Sequence, residues 1–359
     1  MGTKARQTAV SNVPLPLRNL EMKPWTRYPI WFGELFTGAK SFKANPLLGS
    51  ERLNRYGLHA ARVWSAYWMS RLRMAMLAPG VPKADRQQFQ RFGYVLKENY
   101  LSDQQFQALI QEIGAYEGEI RECCQGDTNT HRILLAPEVI ERLPAVKAVL
   151  EDSALKRLFR YCAGHARLPI CHLENVHNGS RDSMTERDPQ KNLHVDTFQP
   201  TMKFWLYLED VTDENGPFVF VPGSNRPHRE RLKWEYEMSL RAKAHADRYT
   251  ARGSFRVSQE EAERLGEGGP RPFRVKANTL LIANTFGVHA RGNAEPGSSR
   301  LALWGMSRTN PFLPLPGLGF DYFNRLQYRV LQRMRRQEDA KAAAKGGQSS
   351  WHVIEQRKI

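Results

Sequence analysis

Between residues 170 and 308, short runs of β-branched and aromatic residues alternate with clusters of Gly, Pro, Asn and Asp. Runs of this length, bounded by turn residues, are typical of β-strands. We predict strands over 170–176, 201–209, 218–221, 271–275, 279–284 and 300–306, with a charged helical insert over 229–245. Six or more such strands behind a helical region predict a mainly β fold with flanking helices. Its core is expected to be a double-stranded β-helix of the jelly-roll, cupin-like type.

A helix with two contrasting faces is predicted over residues 52–78. Apolar side chains share one face at i, i+3/i+4 spacing, namely Ala61, Trp64, Trp68, Leu72 and Ala75. Arginines occupy another face, at Arg55, Arg62 and Arg73. Such a helix fits a membrane interface, and it equally fits packing against the domain. The pattern leaves both alternatives open.

Other helices and connections follow from local signals. Residues 91–113 predict a short strand and then a helix, because Ser102 is a good N-cap and Gln105 completes a capping box. Further helices are predicted over 144–161 and 321–342. The remaining predictions are an extended arm with a short helix over 1–50, a linker over 79–90 and a frayed tail over 340–350.

Positive charge is concentrated at the two ends of the chain. Residues 1–80 hold 12 Lys/Arg and 3 Asp/Glu, and residues 325–359 hold 9 and 3, so these ends carry +9 and +6 of the net +16. We therefore predict a basic, aromatic N-terminal extension with the amphipathic helix (1–82), a central domain (83–318) and a basic C-terminal helix and tail (319–359). Such ends attract acidic lipid headgroups, nucleic acid or phosphorylated substrates, and a solvated surface is the alternative.

The composition excludes several classes of protein. With 41% hydrophobic residues, the 359-residue chain can bury a core, so it is not a disordered protein. Its four cysteines lack C-x-x-C spacing, which indicates reduced thiols in a cytosolic setting. We expect no secretory signal, because the N-terminus lacks an early apolar core, and no transmembrane span, because two arginines interrupt the most apolar stretch, 63–77.

His194 and Asp196 form an H-x-D pair next to a predicted strand. On an extended strand, residues i and i+2 point the same way, so both side chains can reach one metal ion. A second imidazole would complete a facial triad that leaves three positions open on Fe(II). His289 follows a strongly apolar strand and supplies that candidate. Arg300 follows eleven residues later, where its planar fork can hold a dicarboxylate.

With these residues, the sequence resembles the phytanoyl-CoA dioxygenase family of Fe(II)/2-oxoglutarate oxygenases over roughly residues 90–310. The H-x-D pair is followed by the strand KFWLYLEDVT, by an acidic turn with Asn215-Gly216-Pro217 and by Val221-Pro222-Gly223-Ser224. The segment RFGYVLKENYLSDQQ resembles the family's N-terminal strand and helix. Asn225 is a departure, because the family usually has His there.

The resemblance implies roles for these residues and three cofactors. His194, Asp196 and His289 would be the catalytic metal ligands for Fe(II), and Arg300 would bind the far carboxylate of the co-substrate 2-oxoglutarate. O₂ would take the last position on the metal, with hydroxylation as the default outcome. Lys203 is a further candidate for contact with 2-oxoglutarate. Weaker candidates for substrate contact, each with a structural alternative, are Arg291, Asn175, His177, Arg308 and Asn310.

The charge distribution and one further resemblance suggest a substrate. The segment PGSNRPHRERLKWEYEMSL resembles a bacterial subgroup associated with hydroxylation of 3-deoxy-manno-octulosonic acid (Kdo) in lipopolysaccharide. Kdo carries a carboxylate and its lipid A carrier carries phosphates, so we expect an anionic substrate and peripheral contact with the acidic inner face of the cell membrane. The alternatives are another acidic small molecule or acyl thioester, or a non-catalytic membrane- or nucleic-acid-binding relative. A nucleic-acid partner is the less favoured of these, and no particular oligomeric state is predicted.

Overall fold

The computed structural model describes residues 24–179 and 187–359, so the first 23 residues of the predicted arm lie outside the described residues. In the described ranges the helices are α1 Tyr28–Glu34, α2 Glu51–Arg55, α3 Leu58–Met76, α4 Lys83–Phe92, α5 Asp103–Ala115, α6 Pro137–Ile140, α7 Pro144–Glu151, α8 Ser153–Ala163, α9 Arg229–Arg241, α10 Arg248–Ala251, α11 Gln259–Leu265 and α12 Asp321–Ala343. The strands there are β1 Tyr94–Lys97, β2 Ile120–Gln125, β3 Thr128–Leu134, β4 Ile170–Asn178, β5 Met202–Tyr207, β6 Phe218–Phe220, β7 Arg271–Pro272, β8 Thr279–Asn284, β9 His289–Arg291, β10 Ser299–Ser307 and β11 His352–Val353.

Two antiparallel sheets form the core. Within the described residues, the large sheet has eight strands in the order β1-β8-β5-β10-β4-β3-β2-β11, and the small sheet has the order β7-β6-β9. Between the sheets, side chains from both pack into one apolar cluster, which includes Trp205, Tyr207, Leu281 and Trp304 from the large sheet and Phe218 and Phe220 from the small one. Most neighbouring strands are distant in sequence, as in a jelly roll. The predicted double-stranded β-helix with flanking helices is confirmed.

Helices cover the other face of the large sheet. Leu303 of β10 and Leu173 of β4 pack there against Leu158 and Phe159 of α8. Because side chains alternate along a strand, neighbouring Trp304 points instead to the space between the sheets. We call that inter-sheet side the inner face.

Two of the predicted helices are divided. Gly57 adopts a left-handed φ of 87° between α2 and α3, so the predicted helix over 52–78 is two helices. The predicted helix over 144–161 is also two, since Asp152 caps α8 by accepting the Leu155 N–H at 2.7 Å.

Two predictions about connecting segments are wrong. The linker predicted over 79–90 gives way to α4 from Lys83 onward. The tail predicted to be frayed is also ordered, because Ser349 donates to Asp339 Oδ1 at 2.5 Å and β11 then pairs with β2. By contrast, the capping box of Ser102 and Gln105 is confirmed.

Helix α3 packs with its arginine face inward. Arg62 is only 5% exposed and Arg73 only 2%, and both donate hydrogen bonds to backbone carbonyls, mainly of residues 35–39 and 311–313. The apolar face points outward, with Trp64 52% exposed and Trp68 48% exposed. Among the residues described, no helix combines the length and apolar character that crossing a bilayer requires.

Candidate active site

His194, Asp196 and His289 meet at one edge of the space between the sheets. One ligand atom from each lies within 4.8 Å of the other two. Asp196 Oδ1 is 3.9 Å from His194 Nε2 and 3.7 Å from His289 Nε2. The spacing of the H-x-D pair and the downstream histidine therefore brings these three side chains together, as the sequence predicts.

Backbone pairing fixes the two histidines relative to each other. His194 and His289 exchange both backbone hydrogen bonds at 2.9 Å, as paired residues of adjacent antiparallel strands do. Asp196, two residues along, donates its N–H to the Thr285 carbonyl at 3.2 Å. The carboxylate and both imidazoles consequently project to the same side.

Each imidazole is oriented so that one nitrogen is available for a metal. Nδ1 of His194 donates to the Asn192 carbonyl at 2.7 Å, and Nδ1 of His289 donates to the Gly287 carbonyl at 2.9 Å. Both Nε2 atoms are buried and have no hydrogen-bond partner in the described part of the chain. Burial, with His289 and Arg256 nearby, lowers the pKa of His194 well below 6.5, so its ring is neutral. Two imidazoles with free Nε2 atoms and one carboxylate fit a divalent transition metal.

The Pro-Gly-Ser segment of the sequence supports His289 from behind. Ser224 Oγ accepts the Val288 N–H at 2.8 Å and donates to the Val221 carbonyl at 2.6 Å. The buried Arg231 donates to the Ser224 carbonyl at 2.6 Å and to Glu235 on the next turn of α9. These contacts fix the turn that presents His289, which gives the motif a structural role.

Three basic side chains lie close to Asp196. Lys203 Nζ lies 2.7 Å and Arg308 Nη2 lies 3.9 Å from Asp196 Oδ2. Lys40 Nζ donates to the Asp196 backbone carbonyl at 2.5 Å. Although burial alone would raise the pKa of Asp196, Lys203 and the other cationic groups hold it well below 3.8. The carboxylate is therefore ionised and suited to bind a cation.

Lys40 and Arg256 belong to this cluster, and the sequence reasoning missed both. Arg256 is the bridge partner of His194 on the side opposite His289, so its side chain leaves the backbone on the same side as the metal-facing imidazoles. Burial, followed by the charge of Arg308, lowers the pKa of Lys40 to about 7. Neither residue lies in a recognisable motif, so only their three-dimensional positions identify them.

Arg300 lies on the inner face of the large sheet. It is buried, its Nη1 donates to the Gly216 carbonyl, and its guanidinium carbon is 5.8 Å from the centroid of the Tyr207 ring. Arg300 shares this face with Lys203, because Met306 of the same strand pairs with Lys203 and lies six residues from Arg300. The predicted arginine is thus inside the barrel with the triad.

The weaker substrate candidates have different positions. Arg291 is paired with the buried Asp188 at 2.8 Å. Asn310 donates to the Phe36 carbonyl at 3.1 Å. Asn175 and His177 alternate with Val176 and share the face of Leu173, which helices cover, so the structure does not bring them to the triad. The sequence could not give this, because their side of the strand depends on which face packs inward.

This donor set inside a double-stranded β-helix defines the class of non-haem iron oxygenases. The chain belongs to the phytanoyl-CoA dioxygenase family, whose model matches residues 89–282. The protein is accordingly an oxygenase that uses iron and 2-oxoglutarate, and the predicted enzyme class and cofactors are confirmed.

Three solved structures have a similar fold. The epimerase SnoN from nogalamycin biosynthesis is 18% identical, covering 65% of this chain and 82% of its own, with a TM-score of 0.38. HygX from Streptomyces hygroscopicus, with nickel, 2-oxoglutarate and hygromycin B bound, is 14% identical over 64% and 88%, with a TM-score of 0.39. EctD from S. alaskensis, with 2-oxoglutarate and 5-hydroxyectoine, is 13% identical over 63% and 76%, with a TM-score of 0.40. No curated protein sequence matches the chain.

Proposed function

We propose that this oxygenase hydroxylates an anionic substrate presented at a membrane surface, such as the Kdo sugar of lipopolysaccharide. In this proposal His194, Asp196 and His289 bind Fe(II), and Arg300 holds the distal carboxylate of 2-oxoglutarate. The observation that carries the anionic part is the excess of lysine and arginine around Asp196. Bound iron with 2-oxoglutarate and O₂ would supply an oxidant strong enough to attack a C–H bond.

The protein's own residues orient this chemistry. The Nδ1–H bonds of the two histidines fix their rings, so that both Nε2 lone pairs face the metal position. Lys203 neutralises the outer carboxylate oxygen of Asp196 at 2.7 Å. Aromatic side chains of the inter-sheet cluster lie beside the site, with Tyr207 next to Arg300 and Phe218 next to His289, and would help to exclude water from it.

An apolar surface at the mouth of the site supports the membrane part of the proposal. We call it the apolar platform; its exposed side chains are Phe32 of α1 and Phe36 just after it, Trp64, Trp68 and Leu72 of α3, and Leu313, Leu315 and Phe320 of the loop before α12. Arg62 and Arg73 tie these three segments together through backbone carbonyls. Exposed apolar patches of this kind mark interaction sites, and tryptophans favour the membrane interface.

The location and charge of the platform favour an anionic bilayer as its partner. Lys40 follows α1 and contacts the Asp196 carbonyl, and Arg308 precedes the exposed loop and approaches the Asp196 carboxylate. The segments that carry the platform therefore reach the metal triad. The net charge of +9 over residues 1–80 adds attraction to acidic lipid headgroups. An enzyme bound to the membrane through this platform would bind a lipid-linked anionic substrate directly from the bilayer.

Succinate release tests the substrate. The full-length protein with Fe(II), 2-oxoglutarate and O₂ should release succinate in proportion to added Kdo-lipid A, and the product should gain one oxygen atom. Acyl thioesters and uncharged sugars serve as comparisons. Stimulation by acyl thioesters alone would remove the lipopolysaccharide substrate while leaving the oxygenase class intact.

Vesicle co-sedimentation tests the platform. The double variant Trp64→Ser, Trp68→Ser should bind vesicles that contain phosphatidylglycerol at least tenfold more weakly. The reason is that the two indole rings, which would insert into the membrane interface, are removed. Val353→Ser, which removes a 44% exposed apolar side chain from β11, is the matched control. Unchanged vesicle binding of the double variant would refute membrane docking through this surface. If the wild-type protein binds DNA as tightly as it binds the vesicles, a nucleic-acid partner is favoured instead.

A further inference from the structure

We propose that Lys40 and Arg256, together with Arg308, form a subsite that binds the anionic group of the substrate beside the metal triad. This inference rests on the proposed function and adds to it the residues that recognise the substrate. Lys40 and Arg308 lie outside the segment that the family model matches, residues 89–282, and Arg256 lies in the stretch between β6 and β7. Lys40 therefore comes from the N-terminal extension, whereas Arg256 and Arg308 come from the central domain.

The position of Lys40 is determined by the loop that follows α1. Arg62 donates to the carbonyls of Leu35, Thr37 and Ala39 at 2.8–2.9 Å, and these contacts fix the segment that ends at Lys40. The Lys40 ammonium group then reaches the Asp196 carbonyl with one of its three N–H donors. It does not contact the Asp196 carboxylate, whose Oδ2 is 2.7 Å from Lys203. The other two donors of Lys40 are available to an anion.

Arg256 carries buried donors that lack a partner. Neither Nη1 nor Nη2 has a hydrogen bond among the residues described, although both atoms are inaccessible to solvent. Among the residues described, the nearest carboxylate oxygen, Asp247 Oδ2, is 4.0 Å from Nε. Tyr249 packs its ring 4.5 Å from the guanidinium carbon and holds it in place. A buried guanidinium whose two terminal nitrogens lack hydrogen-bond acceptors is stabilised when an anion accepts hydrogen bonds from both of them.

Charge counting shows that iron and 2-oxoglutarate would leave positive charge for the substrate. Fe(II) would be balanced by Asp196 and one carboxylate of 2-oxoglutarate, and the second carboxylate would be balanced by Arg300. Lys40 and Arg256 would then remain near the triad without a carboxylate within hydrogen-bond distance among the residues described, beside Lys203 and Arg308, which both face Asp196. Asp247 opposes them at a distance from Arg256, and Asp188 is already paired with Arg291. A carboxylate or phosphate group on the substrate would relieve this mutual repulsion.

Calorimetry without turnover tests the subsite. The full-length protein, with Fe(II) and 2-oxoglutarate under anaerobic conditions, is titrated with Kdo as a sugar carboxylate, glucose 6-phosphate as a sugar phosphate and glucose as an uncharged control. The wild-type protein should bind at least one charged sugar and not glucose. Lys40→Met and Arg256→Met should each weaken that binding at least tenfold, Lys40→Arg should restore most of it, and the Kd for 2-oxoglutarate should stay within threefold.

Lys43→Met is the matched control, because Lys43 is exposed and lies three residues from Lys40. Weakening for Kdo alone assigns the subsite to a carboxylate, and weakening for glucose 6-phosphate alone assigns it to a phosphate. Charged-sugar binding that is absent, or equal in the wild type, Lys40→Met and Arg256→Met, would overturn the subsite. Failure of the proposed function is seen separately, as loss of Fe(II) or 2-oxoglutarate binding before any sugar is added.

Discussion

Replacing Arg62 by methionine should lower the free energy of unfolding by about 3 kcal/mol and should also weaken binding at the anionic subsite. Arg62 is 5% exposed and donates to three carbonyl oxygens of the loop between α1 and Lys40. Its guanidinium carbon also lies 4.1 Å from the centroid of the Phe198 ring, two residues from Asp196. One buried side chain thus links α3, the Lys40 loop and the metal triad.

The magnitude follows from these contacts. Each lost hydrogen bond is taken at roughly 1 kcal/mol, because the loop is only half-buried and water can reach part of it. The lost contact with Phe198 adds about 1 kcal/mol. Burial lowers the pKa of Arg62 to about 9, so the wild-type guanidinium is itself costly to bury and its removal offsets part of these losses. The net estimate is about 3 kcal/mol.

Urea unfolding followed by circular dichroism measures the change. The control is Arg55→Met, since the Arg55–Glu51 pair is exposed and its loss should change stability by less than about 0.5 kcal/mol. Calorimetry with a charged sugar then compares the folded variants, and only Arg62→Met should bind more weakly. A stability change under about 1 kcal/mol for Arg62→Met would refute the assignment of three productive hydrogen bonds.

Three further predictions concern the triad, the co-substrate and pH. His289→Ala should abolish the Fe(II)-dependent rise in Tm, which in the wild type at 100 times Kd corresponds to about 2.7 kcal/mol, and a persistent rise would contradict the triad. Arg300→Met should weaken 2-oxoglutarate binding, measured by calorimetry, at least tenfold without changing Fe(II) binding, whereas an unchanged Kd would exclude Arg300 as the carboxylate ligand. Burial lowers the pKa of His165 to about 3. Below pH 6.5 the unfolded chain therefore binds a proton at this residue, whereas the native chain does not bind it until the pH approaches 3. Stability should therefore fall as the pH drops from 6.5 towards 3, by up to about 1.4 kcal/mol per pH unit for this residue, and His165→Gln should flatten that slope in urea unfolding; an equally steep slope would refute the assignment.

Hydrophobic patterning gave the strands of the core but not the direction in which α3 faces. The pattern separates the tryptophan stripe from the arginines and says nothing about which side is buried. In the folded protein, carbonyls of residues 35–39 and 311–313 need donors, and Arg62 and Arg73 supply them. The arginine side therefore packs inward, against the usual preference of apolar residues for the interior.

The strands that the sequence analysis did not predict are short or polar. β9 is three residues long, and its place is set by pairing with β6 and His194, not by a pattern of its own. β2 and β3 carry paired polar side chains such as Glu122 and His131, which interrupt the apolar alternation. Such segments become strands because their neighbours offer hydrogen bonds, and that information is not local in sequence.

The candidate iron ligands were predictable because each has a local sequence signal: His194 and Asp196 form an H-x-D pair, and His289 follows a strongly apolar strand. Lys40 and Arg256 were not, since each reaches the site through tertiary contacts, by way of Arg62 in one case and the bridge to His194 in the other. The two groups also depend on different parts of the chain. If Lys40 recognises only the substrate, Lys40→Met should keep the wild-type rate of 2-oxoglutarate consumption measured without substrate and lose most of the stimulation by a charged substrate. Equal loss of both rates would mean that Lys40 acts on the iron or on 2-oxoglutarate. Other residues would then have to bind the anionic group of the substrate.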